Sequence, residues 1–405
     1  MRSTYVSLSA LLVAVSFVSA GNGLLSVFLA VRMTAEHFST GLTGLVVTGY
    51  SIGFVGGSLF IAGVVRRVGH VRTLVAFAAL MALACLAFPL AINGPVWLAL
   101  RVITGIGAAG VFIVAESWLA GKSPPELRGR IFGVYMISQK MTYGGGQLLL
   151  IAGDPLGVVF FMASAALYVA CLLPISLTTA ESPPLPERAG FNLRRIYQVS
   201  PLAVVASLSA GMVNSAMVTL GPLYGAGLNF DIREISFFAA SIQFGSLVLQ
   251  YPIGKLSDIH DRRLVLIGVC LVSAALAASA ALFGHLSFWM LVGISLAYGG
   301  ISFAVYPIAV AHAADHAEPG QLIVVSSGML ALWGAGSVIG PLIATQMMSL
   351  LGPPGLFWFA AGMCLLLATY TAWRVRRRIS PARIAPFVAM PPTPAAPALD
   401  PRPPR

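Results

Sequence analysis

Residues 51–72 read SIGFVGGSLFIAGVVRRVGHVR, and residues 243–263 read QFGSLVLQYPIGKLSDIHDRR. Each runs from a glycine-spotted apolar stretch, long enough to be a helix, into a short loop dense in charge. Within them, Ala62-Gly63-Val64-Val65-Arg66-Arg67-Val68-Gly69-His70 stands against Gly254-Lys255-Leu256-Ser257-Asp258-Ile259-His260-Asp261-Arg262. The offset between them is near half of the chain's apolar region, which predicts an internal repeat of six helices.

The surrounding composition fits that reading. The chain has 405 residues, 58% hydrophobic and only 9% charged, where a soluble domain carries roughly 25% charged residues. A soluble protein needs a polar surface, so the solvent for most of this chain is lipid. At about 30 residues per helix and loop, the apolar length predicts roughly 12 spans. The net charge of +11 does not indicate nucleic acid, because Lys and Arg fall in short bursts between apolar runs, as in cytoplasmic loops. Cys85, Cys171, Cys270 and Cys364 each sit inside an apolar run with no Cys/His cluster, which predicts small buried hydrophobes, no disulfide framework and no metal site. No P-loop is present: the nearest candidate, Gly121-Lys122-Ser123, has Glu116 where a glycine is needed. No catalytic motif appears either, and neither an enzyme nor a cofactor is expected.

Apolar segments fall at roughly 6–31, 40–65, 73–93, 95–119, 130–152, 157–178, 201–225, 234–256, 264–284, 287–312, 321–349 and 355–375. The N-terminus mimics a signal peptide, with Val18-Ser19-Ala20 before Gly21, but its apolar run continues to Val31 and is read as the first span. With the N-terminus inside, twenty of the 24 basic residues lie on the cytoplasmic side. Only Arg32 and Arg233 are left outside, and Arg101 and Lys140 fall within spans. This asymmetry predicts an N-in, C-in protein of the bacterial inner membrane type. The expected organisation is an all-α membrane protein with one six-helix bundle over 1–180, a Pro-rich linker over 181–200 and a second bundle over 201–376. The end of the linker, Leu193-Arg194-Arg195-Ile196, reads as a surface segment, and 377–405 as a disordered Pro-rich basic tail.

At these residues the chain resembles the major facilitator superfamily. The family's G-x-x-x-D-R-x-G-R-R loop is matched after span eight by Gly254, Asp258, Arg262 and Arg263, with Asp261 in place of its later glycine. After span two, Arg67, Gly69 and Arg72 match, while Ala62 and Arg66 replace the glycine and aspartate. Arg101, Gly105 and Gly107 resemble the R-x-x-x-G-x-G element of span four, and Glu116, Pro124, Arg128 and Gly129 the E…P…R-G element that follows. Glu116-Ser117-Trp118-Leu119, Arg128-Gly129-Arg130 and Gln250-Tyr251-Pro252-Ile253-Gly254 narrow the resemblance to the YcaD-like branch, whose substrates are largely unassigned. The resemblance implies two six-helix bundles around a cavity, alternating access and a monomer carrying a small solute. Span five lacks the glycine-proline signature of family antiporters and has Gly144-Gly145-Gly146-Gln147 instead, whereas Gly336, Gly340 and Pro341 lie in span eleven.

An ionisable group in lipid is a functional candidate by default. Gly133, Lys140, Gly144 and Gln147 recur on one face of span five and are expected to line the cavity. The plainer alternative is a lysine that snorkels or pairs with Glu116. Arg101 is either a solute contact or a packing device bonded to helix carbonyls. Glu116 is expected to pair with Arg128 at the cytoplasmic gate, as the family pattern implies. Uncharged lining candidates are Asn22 and Ser26 in span one, Asn214 in span seven, Gln243 in span eight, Tyr298 and Ser302 in span ten and Trp333 in span eleven. Each taken alone is as well explained by an interhelical hydrogen bond. Gly21 and Gly23 beside Asn22 suggest either a locally soft helix or a close helix crossing. Gly49, Gly53 and Gly57 form a packing row, with Gly336 and Gly340 as its expected partner.

Two cations against no acid in the membrane middle predict a solute that is anionic or bears a carboxylate. The coupling ion is open, with protons one candidate and Lys140 or His312 as carriers. A broad drug exporter ranks next, since a cationic drug wants a buried acid, and a non-transporting membrane sensor last. By the family's pseudo-symmetry, Asp258 and Asp261 are expected to meet Arg128 and Arg130. Arg66 and Arg67 are expected to form a charge-reversed latch with Asp315 and Glu318, closed when the cavity faces outward.

Overall fold

The computed structural model describes residues 2–123, 127–177, 193–317 and 322–377. Glu318, Pro124 and the tail lie outside these residues, as do most of the linker and the side chains of Arg128 and Arg195. The described chain is helical throughout: α1 (Arg2–Ala35), α2 (Thr40–Val68), α3 (His70–Ala87), α4 (Gly94–Lys122), α5 (Arg128–Leu148), α6 (Val159–Ala170), α7 (Leu172–Ser176), α8 (Leu193–Val199), α9 (Pro201–Gly227), α10 (Ile232–Ile259), α11 (Arg262–Phe283), α12 (Phe288–Ser302), α13 (Val305–His316), α14 (Leu322–Leu351) and α15 (Gly355–Arg377). Starts are capped where a short polar side chain precedes the apolar run: Ser39 accepts from the amide of Leu42, Asn93 from Val96 and Ser200 from Ala203. Gly69, at φ 87°, makes the turn from α2 into α3.

Eleven stretches of the described residues are long and apolar enough to cross a membrane. The expected span at 130–152 corresponds to α5, which is not among them: its 21 residues include Gln139, Lys140, Thr142 and Gln147. Two expected spans are each divided in two. Span six parts between α6 and α7, where Pro174 cannot donate to Ala170, and span ten between α12 and α13, where Pro307 cannot donate to Phe303. Exposed Leu59, Leu83, Val248, Leu264 and Leu366 give the helices apolar outer faces suited to lipid.

The chain forms two compact units, one mainly Met1–Glu187 with Asn229–Ala240, the other mainly Arg188–Leu228 and Ser241–Pro392. In the first, α2 packs on α4 and α1 on α5 and α6. Its core holds Phe28, Phe88, Trp97 and Phe161, and the Trp97 indole donates to the carbonyls of Phe88 and Ala91. In the second, α9 packs on α14 and α11 on α15. There the Tyr224 and Phe357 rings meet edge to face at 4.9 Å.

Glycine sets both crossings in each unit. A Cβ on Gly53 would strike the Val102 carbonyl, and one on Gly105 would strike the Tyr50 carbonyl. In the second unit, Gly245 faces the Leu296 carbonyl and Gly299 the Ile242 carbonyl in the same reciprocal arrangement. The α1/α5 crossing joins Gly23 to the Tyr143 carbonyl and Gly146 to that of Ala20; the α9/α14 crossing joins Gly211 to that of Trp333 and Gly336 to that of Leu208. The matching registers equate Arg101 with Ser295, Tyr50 with Ile242, Asn22 with Ala210, Tyr143 with Trp333 and Lys140 with Leu330.

These contacts correct the expected partner of the glycine row. Gly49, Gly53 and Gly57 seat α4, and Gly336 and Gly340 seat Leu208 and Met212 of α9. A glycine row brings two backbones together without specifying which two.

Candidate functional site

The residues of greatest chemical interest gather in the first unit. Arg101, two turns into α4, is 3% exposed, and its Nε and Nη1 have no hydrogen-bond acceptor. Its guanidinium carbon lies 5.0 Å from the centroid of the Tyr50 ring on α2, within range of a cation–π contact. The Tyr143 hydroxyl of α5, the Tyr168 hydroxyl of α6 and the Cys85 thiol of α3 also lie in its electrostatic surroundings.

Asn22 of α1 lies within the same group. Tyr168 donates to Asn22 Oδ1 at 2.8 Å, and Asn22 Nδ2 donates to the Tyr50 hydroxyl at 3.4 Å. Ser26, one turn further along α1, shares a hydrogen bond with Tyr143. α1 is unbroken here, so the soft-helix expectation is replaced by the close crossing: Gly21 seats the Tyr168 ring and Gly23 the Tyr143 carbonyl.

Along α5, Gly133, Lys140, Gly144 and Gln147 keep one face. Lys140 is half-buried, while Gln147 is buried with Oε1 unpartnered. Glu116 is fully buried near the end of α4, and its Oε1 accepts from the Tyr135 hydroxyl at 2.9 Å. The expected partner on Arg128 falls on a side chain outside the described residues. Arg130 is exposed.

In the second unit the polar candidates make a smaller, uncharged group. Ser302 donates to Asn214 Oδ1 at 3.2 Å, and the Trp333 ring lies 6.3 Å from that of Tyr306. Gln243 is buried on α10 and Tyr298 on α12.

The charged turns differ between the units. Arg262, the first residue of α11, donates to Asp315 at 2.7 Å and to Asp258 and Ser257 at 3.0 Å. Asp261 caps α11 and binds Arg263 at 2.8 Å. Asp258, Asp261 and Asp315, each expected to meet an arginine of the other half, therefore have arginine partners within their own. At the matching place in the first unit, His70 begins α3 and lies 3.1 Å from the Ser117 hydroxyl, while Arg66 and Arg67 are exposed.

Sequence reasoning did not find Tyr50, Tyr143 or Tyr168. Tyrosines are common on packed membrane helices, and none of the three shares a periodic face with Arg101. Only the fold brings five helices together there.

Two crossings repeated with matching glycine registers define a fold of two similar helical units. The family model of the Major Facilitator Superfamily matches residues 11–242 and 203–402, and the chain belongs to that family. It is 28% identical over 355 residues, 86% of its length and 89% of the relative's, to the uncharacterised transporter YcaD of Escherichia coli O6:K15:H31. Its fold matches a mutant form of the nucleoside transporter NupG at a TM-score of 0.74, with 14% identity and coverage of 91% of this chain and 100% of that one. A bacterial homologue of the human lysosomal transporter Spinster, inward-facing and occupied, matches at 0.71, with 17% identity and 93% and 98% coverage. The protein is a multi-pass transporter of the cytoplasmic membrane working by alternating access.

Proposed function

We propose that this chain is a secondary active transporter of a small organic solute bearing a carboxylate, and that Arg101 holds the solute's negative charge. The carrying observation is a buried guanidinium with two donors unsatisfied. Each unmet buried donor costs on the order of 1–3 kcal/mol. An acceptor arriving with the solute removes that penalty.

The repeat supports a functional origin for this charge. The same two crossings in the second unit carry Ser295, Ile242, Ala210 and Leu330 where those of the first carry Arg101, Tyr50, Asn22 and Lys140. Both crossings pack without those cations, so packing alone does not call for them. Ser26, Gln147, Asn214, Gln243, Tyr298, Ser302 and Trp333 are proposed to line the remainder of the solute's path. In this reading α5 is also a span and brings their number to twelve, its polar face turned to that path, and both termini are cytoplasmic, as the basic residues favour.

The test is a thermal-shift screen of purified protein against metabolites sorted by charge. A ligand at 100 times its Kd stabilises by about 2.7 kcal/mol. Carboxylates are expected to raise the melting temperature and to be carried into proteoliposomes. Stabilisation by amines or neutral solutes alone would overturn the anionic reading.

A further inference from the structure

The hydrogen bonds around Asn22 have a direction. Tyr168 donates to the carbonyl oxygen of Asn22, and the Asn22 amide donates to the oxygen of Tyr50. Tyr50 is thus an acceptor within the chain, and its own O–H proton remains to be donated. Tyr50 is half-buried and carries the guanidinium of Arg101 against its ring at 5.0 Å. The group therefore presents the Tyr50 O–H and the Arg101 N–H groups, donors from two helices, while the Asn22 carbonyl oxygen accepts from Tyr168.

We infer that Tyr50 is the second donor of a carboxylate subsite, binding one carboxylate together with Arg101 and set in donor mode by the Tyr168–Asn22 relay. A carboxylate accepts through both oxygens and fits two converging donors. An amide presents one oxygen where the carboxylate presents two, and it brings no negative charge to Arg101. The specificity is for the acid over its amide. The relay has no counterpart in the second unit, where Ile242 and Ala210 stand in place of Tyr50 and Asn22. This inference rests on the anionic reading of Arg101, and the experiment separates the two.

The probe is acetate, the carboxylate common to any larger acid, titrated against purified full-length protein with chloride at equal ionic strength as reference. Melting temperature reports binding. Wild type is expected to be stabilised by acetate beyond chloride. Tyr50→Phe keeps the ring and its contact with Arg101 but removes the donor, and should weaken apparent acetate affinity at least tenfold. Asn22→Asp is isosteric and reverses the relay: its carboxylate accepts from both tyrosines, withdrawing the Tyr50 proton and neutralising Arg101. That variant should melt at or above the wild-type temperature without acetate and lose the acetate response, a combination that damaged packing does not produce. It also serves if Tyr50→Phe fails to fold. Tyr168→Phe leaves the Tyr50 hydroxyl in place but removes the bond that orients Asn22, and should weaken the response by less than Tyr50→Phe. No acetate effect beyond chloride in wild type overturns the anionic reading itself. An equal effect in wild type and Tyr50→Phe overturns the role of Tyr50 alone; an equal effect in wild type and Asn22→Asp overturns the subsite, Arg101 included.

Discussion

Arg262 donates from Nε to Asp315 Oδ2 at 2.7 Å, joining the first turn of α11 to the last turn of α13, with the two side chains 3% and 6% exposed. Removing one partner of a buried pair leaves a charge without compensation, at about 3–5 kcal/mol. Arg262 keeps Asp258 and Ser257, so the lower end of that range applies. Asp315→Asn is expected to lower the melting temperature clearly, and Asp258→Asn, on the more exposed partner, much less. Equal effects of the two in thermal unfolding would contradict this ranking.

The same pair bears on the proposed latch between Arg66/Arg67 and Asp315/Glu318. Reversing Asp315 to arginine would place two guanidinium groups together at Arg262, so Asp315→Arg disrupts the second unit whatever Arg66 does. Glu318→Arg is the cleaner partner for a double-mutant cycle with Arg66→Asp, read as labelling of an outward-facing cysteine probe. The latch predicts that Arg66→Asp favours the inward-facing state and that the second change restores the balance. Each exposed pair is worth only about 0.2–1 kcal/mol, enough to tilt an equilibrium whose gap is a few kcal/mol. Additive effects would remove the latch.

Gly53→Ala and Gly245→Ala are expected to destabilise the protein by about 1–3 kcal/mol each, because each methyl meets a backbone carbonyl. Gly23→Ala meets one too and should lower folded yield along with turnover. Gly56, a neighbour on α2, faces nothing within 4 Å. Gly56→Ala should be neutral or slightly stabilising by intrinsic helix propensity. Melting temperatures of the four variants check the assignment.

Much of the architecture was legible in the sequence. The repeat lay open in 51–72 and 243–263, and most helix ends fall within a few residues of the ends of the apolar runs, some beyond them and some short. The charge at Arg101 and the periodic face through Lys140 needed only the rule that lipid rejects ions. Partners were less legible. Asp315 meets Arg262 across 53 positions of sequence, with no spacing to announce it, and the tyrosines around Arg101 come from three different helices. The breaks at Pro174 and Pro307 were visible as prolines, but membrane helices tolerate proline often enough that sequence alone does not decide which one divides a helix.

Lys140 tests whether the α5 face serves transport or packing. The second unit carries Leu330 at the equivalent place, so Lys140→Leu is a replacement this crossing accepts. Folded yield and melting temperature are expected to stay within the wild-type range while uptake in proteoliposomes falls at least tenfold. Lys140→Arg should recover only part of it, since a planar fork replaces a compact ammonium. Full uptake by Lys140→Leu would return the lysine to a structural role.

The most direct test of the central claim is uptake by wild type and Arg101→Ser, the residue found at the equivalent position of the second unit. Proteoliposomes are offered the carboxylate identified by the thermal-shift screen and, separately, its primary amide. Hydrogen bonds to charged groups are worth about 1.5–3 kcal/mol each. Loss of two should therefore lower kcat/KM for the acid by on the order of 100-fold or more. Slow uptake of the amide should change by less than about threefold. A parallel fall for acid and amide, or undiminished uptake of the acid by Arg101→Ser, would contradict the account.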